Sequence, residues 1–296
     1  MYQASAALKN AIATGTPQRV LLEFLDGSGN VAKTFSNEDI VVSNGVKLTE
    51  TFNGDTDLNI GQCPSSEISF TLLNDQGQVT DFQFGTFKAW LGARIDSGSP
   101  TGKTKTFTEA GATVTYEFAP LGVFIAKRPD VVRKQMVSIT ANDQMTLFDT
   151  EWPNLTITYP VTMAGLLQAM CSYLGVTCAS YSFTNATDLT LTAAPDELPN
   201  MTMREVLKWI AEASCSIARF NRDGQLEMAW FTTQSGVVYN EHSYTDFTPS
   251  WYAVEQIDGL NVRDTEKSLE ATVGSGSNRF IIQNNPFLKG QIPNPT

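Results

Sequence analysis

Residues 202–231 read TMREVLKWIAEASCSIARFNRDGQLEMAWF. Met203, Val206, Leu207 and Ile210 recur at helical spacing, and Thr202 with Glu205 makes a capping box, in which each satisfies a backbone donor of the first turn. The pattern then changes to period two. Leu226, Met228 and Trp230 fall on one face of a strand, and Glu227, Ala229 and Phe231 on the other. Between the two strands, Asn221-Arg222-Asp223-Gly224 is a turn, with Gly224 free to take positive φ. A helix running straight into a hairpin identifies a small α/β unit. The mixture of Arg222, Asp223 and Glu227 with Phe220, Trp230 and Phe231 also raises acid/base chemistry on a sugar. Backbone geometry accounts for Asp223 before catalysis does, and Trp230 and Phe231 point to opposite faces.

Upstream, TMAGLLQAMCSYLG repeats the helical scheme with Met163, Leu166, Leu167, Met170 and Leu174 behind a Thr162 N-cap, and Gly175 is placed to end the helix. TDLTLTAAPDELPN, between the helices, reads as a short strand and a Pro-punctuated loop. Residues 151–245 therefore form an α/β unit. Residues 1–150 read as strands and turns: a hairpin with Val20, Leu22 and Phe24 before Asp26–Asn30 and Val31, Lys33 and Phe35 after it. A strand follows with Ile68, Phe70 and Leu72 inward and a turn at Asn74–Gly77. Further strands are expected at Thr86–Leu91, Thr113–Phe118, Leu121–Lys127 and Arg133–Thr140. Such spacing suggests a β-barrel or sandwich. Asp96–Thr106, rich in Ser, Gly and Thr, reads as an exposed, mobile loop. Residues 246–296 return to strands, in GLNVR, SLEATV and NRFIIQNNPFL, and are expected to pack on the first unit or belong to a longer domain. The fold class is α+β and β-rich.

Composition restricts function. Lys and Arg number 20 against 31 Asp and Glu, a net charge of -11, which argues against a surface that grips phosphates. No run approaches the roughly 18 apolar residues of a membrane span, so no membrane insertion is expected. The start of the chain carries no signal-peptide pattern, and Cys63, Cys171, Cys178 and Cys215 are expected to stay reduced in a cytoplasm. The four cysteines match no zinc spacing and read as small buried thiols. The single histidine, His242, sits in a polar loop. GSGSN at 274–278 carries Arg279 where a dinucleotide loop needs its third glycine, and reads as a hairpin turn. Three carboxylate pairs are open to a glycosidase reading: Asp55 with Asp57, Asp196 with Glu197, and Asp223 with Glu227. Trp90 and Trp251 are candidates for stacking on a glycan. No residue is assigned as catalytic, cofactor-binding or metal-ligating, and the chain is not read as an enzyme.

The order of elements resembles the baseplate hub proteins of phage and prophage tails, including the N-terminal part of tail-associated lysins. Carrying segments are GVFIAKRPDVVRKQMVSITANDQMTLFD at 122–149, the helix from Thr162, the 202–231 stretch, and GLNVR with RFIIQNNPFL. The resemblance implies a tube-type barrel at 1–150, a small α/β domain at 151–245, and strands of a second, incomplete barrel at 246–296. It further implies a homotrimer whose ring joins the tail tube to the tip. Its partners would be tail tube or distal tail proteins and other baseplate subunits, with DNA passing the lumen without specific binding. The site of action would be the virion tail, assembled in the host cytoplasm.

Overall fold

A computed structural model describes residues 4–41, 45–50, 60–74, 85–127, 135–153, 155–229 and 257–293. The chain opens with α1 (Ala6–Ala13), capped by Ser5, whose Oγ accepts from Leu8 N at 2.9 Å. Strands β1 (Gln18–Leu25), β2 (Val31–Ser36), β3 (Val46–Thr49), β4 (Glu67–Leu73), β5 (Thr86–Arg94), β6 (Lys103–Glu109), β7 (Ala112–Ala126) and β8 (Met136–Asp143) form one antiparallel sheet. Its order is β2-β1-β5-β7-β8-β4-β3, with β6 also pairing β7. The β-rich α+β class read from the sequence is what the structure has. A barrel or sandwich was expected; among the described residues no pair joins β2 to β3, so no closed barrel is found there.

Both faces of β1 are covered, which a single alternating pattern would not predict. Leu22 and Phe24 join Phe35, Phe70, Phe87 and Phe124 in the main core, with Phe24 stacked on Phe87 at 4.6 Å. Leu21, on the other face, packs with Tyr116 and Phe118 under the β6–β7 hairpin. Charged side chains close that smaller cluster. Lys103 Nζ lies 2.6 Å from buried Glu23 and 4.5 Å over the Trp90 ring, and Trp90 Nε1 donates to the same carboxylate at 2.9 Å. Arg19 lies 4.2 Å over Phe107 and donates to Glu109 at 3.0 Å.

Two readings of this unit change. The strands expected at Thr113–Phe118 and Leu121–Lys127 are one strand, β7, of 15 residues. Trp90 pairs with Pro120 and Ala89 with Gly122, so Leu121 is the extra residue of a bulge. Nor is Asp96–Thr106 a free loop. Lys103–Thr106 belong to β6, which turns into β7 through Ala110 and Gly111, both at positive φ (47° and 82°). The residues before β6 are tied to Glu117, fully buried, which accepts from Thr101 N at 3.2 Å, Gly102 N at 2.8 Å and Ser5 Oγ at 2.5 Å. One carboxylate thus anchors both the helix and the loop.

The second core begins at a 3-10 turn, Gln144–Asp149. After it come β9 (Val161–Thr162), α2 (Met163–Leu174), β10 (Thr177–Cys178), β11 (Thr190–Leu191), α3 (Met203–Ala213), β12 (Ile217–Phe220) and β13 (Gln225–Ala229). The caps are as read from sequence: Thr162 Oγ1 accepts from Gly165 N at 3.0 Å, Gly175 takes φ 67°, and Thr202 with Glu205 forms the box. Met163, Leu166, Leu167 and Met170 of α2 meet Met203, Val206, Leu207 and Ile210 of α3 in one apolar cluster. Each such side chain contributes about 1.5–3 kcal/mol on burial.

Last come β14 (Gly259–Asp264), β15 (Leu269–Gly274), β16 (Arg279–Gln283) and α4 (Pro286–Lys289). Their sheet runs β15-β14-β16, with β16 parallel to β14. GSGSN is therefore not a hairpin turn between paired strands; it carries the chain across the start of β14. Glycine is required by that crossing, since a Cβ at Gly276 would lie 2.0 Å from Asp258 Cβ and one at Gly274 2.3 Å from Asp258 O. This segment inserts Phe287 into the second core.

Candidate functional site

The hairpin that raised the question of chemistry is a joint. Asn221 builds its turn, because its Oδ1 accepts from Asp223 N and Gln225 N, both at 3.0 Å. Asp223 stands exposed. Gly224, at φ 76°, presses on the first sheet, where a Cβ would come 2.5 Å from Val123 Cγ2 of β7. Arg222 donates to Glu50 beyond the end of β3 at 2.8 Å, and Arg219 to Glu227 across the hairpin at 2.7 Å. Glu227 is thereby bound to a neighbouring guanidinium rather than facing Asp223 across a cleft.

The rest of the joint lies along 60–66 and α3. Gly61 N donates to Ser216 O at 2.9 Å and Ala218 N to Gln62 O at 3.0 Å, so this stretch runs beside β12. Arg204 of α3 donates to Met145 O and Asp149 Oδ2, both at 2.9 Å. Asp143 caps the 3-10 turn, accepting from Met145 N at 3.1 Å, Ser65 Oγ at 2.8 Å and Ser66 N at 2.8 Å. Burial pushes its carboxyl above the usual range against the pull of those bonds. Met145 and Phe148, at the end of the first unit, are fully buried in the second core. Glu212 is the meeting point of all three parts. Gly61, at φ 85°, sits where a Cβ would fall 2.2 Å from Glu212 Cγ, and buried Asn285 donates to Trp209 O at 2.9 Å and to Glu212 Oε2 at 3.1 Å. Burial raises the Glu212 carboxyl, opposed by the Asn285 bond and Lys208.

Other candidates stand apart from one another. Asp196 and Glu197 line a cleft of about 720 Å³ beside α4, with Glu266, Lys267 and Lys289. Lys289 Nζ lies 3.8 Å from both Glu197 and Glu266, whose side chains are 45% and 65% exposed. A glycosidase acid needs a wall that desolvates it, and these carboxylates stand in open water. Trp90 has Lys103 over its ring and packs, partly buried, against the Leu21 cluster. Asp55, Asp57, Trp230, Phe231, His242 and Trp251 lie outside the described residues, as do residues 75–77 of the expected Asn74–Gly77 turn. Among the described residues, no group of three or more His, Cys, Asp or Glu could hold a metal, and no helix is long and apolar enough to cross a membrane. Sequence reasoning missed Gly61, Arg204, Glu212 and Asn285, whose partners are distant in the chain; the isolated Gly61 before Gln62-Cys63 was the one local signal.

No family model matches the chain, and no curated protein matches it. Among solved structures it is similar to the 43 kDa tail protein of prophage MuSo2 from Shewanella oneidensis. Identity is 12%, with 90% of this chain and 72% of that chain covered and a TM-score of 0.42. It is also similar to prophage tail protein gp18 from Listeria monocytogenes EGD-e, at 9% identity, covering 89% of this chain and 71% of that one with a TM-score of 0.44. The third is the tail protein from Neisseria meningitidis MC58, at 10% identity, 93% and 69% coverage and a TM-score of 0.38.

Proposed function

We propose that this chain is a structural component of a phage or prophage tail and, more finely, a tip or baseplate hub subunit. In this reading residues 1–150, 151–245 and 246–296 are its three parts, and three copies form a ring between the tail tube and the tip. One observation carries it. The most chemically suggestive segment, 218–229, spends its charged and turn residues on joining parts of the chain: Asn221 on the turn, Arg222 on Glu50, Arg219 on Glu227, Gly224 against Val123. A protein that must hold fixed angles between rings needs such a packed joint. The order of elements that resembles tail hubs supports the same reading, and an acidic chain suits a lumen that lets DNA pass. The solved proteins named above are themselves tail proteins, in keeping with it.

Light scattering over a concentration series tests the assembly, with trimers or larger rings expected. A strictly monomeric protein that binds no tail component would overturn it. The rival reading, a cell-wall glycan hydrolase using Asp223, is tested by peptidoglycan turnover with wild type and Asp223→Asn. Turnover that the substitution abolishes would replace the structural reading.

A further inference from the structure

β11 is paired along one edge only. It runs antiparallel to β9, with Thr190 opposite Thr162 and Leu191 opposite Val161. One position back in the same register, Met163 N donates to Leu189 O at 3.2 Å. Bonded and non-bonded positions alternate along an antiparallel pair, so Leu191 turns its backbone groups toward β9 and Thr190 turns its N–H and C=O away from it. Beyond the strand, Thr192, Ala193 and Ala194 are exposed and make no backbone hydrogen bond among the described residues. Thr190 and these three residues line the cleft beside α4. Lys and Pro are the residues that ordinarily close an edge to other chains, and neither occurs in this stretch before Pro195. The chain that carries the free edge continues into Asp196 and Glu197, while Glu266, Lys267 and Lys289 line the cleft from the last segment. Asp196 makes no ion pair among the described residues, and Lys289 is shared at 3.8 Å between Glu197 and Glu266. The side of the cleft next to the free edge is therefore short of positive charge.

We propose that this cleft takes an extended segment of a partner protein. The segment lies as a further strand along the Thr190 edge and carries a Lys or Arg that meets Asp196 and Glu197. Backbone bonds to Thr190 hold an extended chain of any sequence, and the carboxylates beside the edge select the basic residue. Ala193 and Ala194, small and exposed, leave room for the guest's side chains, and Pro195 ends the edge. The inference goes beyond the tail-protein reading and does not depend on it.

The probe is a fluorescein-labelled hexapeptide, Thr-Val-Lys-Val-Thr-Val, titrated against the folded wild-type protein by fluorescence anisotropy. Saturable binding is expected. The same peptide N-methylated at alternate backbone nitrogens keeps its charge but cannot add to a strand, and should bind about tenfold more weakly. Replacing its Lys by Glu should weaken binding in the same direction, as should Asp196→Lys in the protein. Thr190→Pro removes the outward N–H at an edge position where proline is tolerated, and should match the effect of N-methylation. A photoreactive version of the peptide should label residues 190–197 or 286–291. No saturable binding, equal binding of the N-methylated peptide, equal binding of the Glu peptide, or labelling elsewhere would each overturn the proposal. The peptide series on wild-type protein decides alone should a variant fail to fold.

Discussion

Glu212 carries a carboxyl between Gly61, Asn285 and its own helix, where water is largely excluded. Lys208 on α3 is the other titratable group that acts on it. Because burial raises its pKa, the folded state holds the proton more tightly than the unfolded chain does. Stability is therefore greatest below the unfolded value and is lost as pH rises through the folded one. Asp143 acts in the same direction. Glu212→Gln keeps an acceptor for Asn285 and removes the charge, so it should flatten the fall in melting temperature as pH rises above the ordinary carboxyl value. A variant whose pH profile matches wild type would remove Glu212 from this role. At the turn, Asn221→Ala deletes two backbone-to-side-chain bonds and should cost about 1–2 kcal/mol in urea unfolding, while Asp223→Asn should be near neutral. The reverse order would restore Asp223 as the residue that matters.

Elements were legible wherever their signal is local. Thr162 with Gly175, and Thr202 with Glu205, sit within a turn of the residues they serve, so both long helices follow from sequence. β6 was not, because Lys103–Glu109 offers one apolar side chain, Phe107, and its partner lies across a hairpin whose turn needs positive φ at Ala110. β7 read as two strands because the bulge at Leu121 is defined only by Ala89 and Trp90 on another strand. The sense of GSGSN depends on β14 lying between β15 and β16, which no short window contains. Two glycines separate local strain from docking. Gly111→Ala, with open space around it, should cost about 1–2 kcal/mol of left-handed strain alone. Gly224→Ala adds the collision with Val123 and should cost more, with part of the excess recovered by Val123→Ala in a double-mutant cycle. Equal costs would mean that the hairpin does not dock on β7.

Across the whole molecule, the second core holds the parts together. Phe148 enters it from the first unit and Phe287 from the last segment. Phe148→Ala should lower unfolding free energy by about 3–5 kcal/mol. Asn285→Ala should raise hydrogen exchange in 257–293 while leaving β1–β8 protected; unchanged exchange would contradict the anchoring drawn here. The candidate site was the least legible part, since Gly61, Glu212 and Asn285 come together only in the fold, and Asp223, Glu227, Asp196 and Glu197, which looked chemical, face neighbours or open water. The central claim is that such a joint serves a tail rather than a reaction. Immunogold microscopy with an antibody against this chain, on particles released from its host bacterium, tests that most directly. The account predicts gold at one end of the tails. Intact tails without label, alongside free protein in the same lysate, would contradict it.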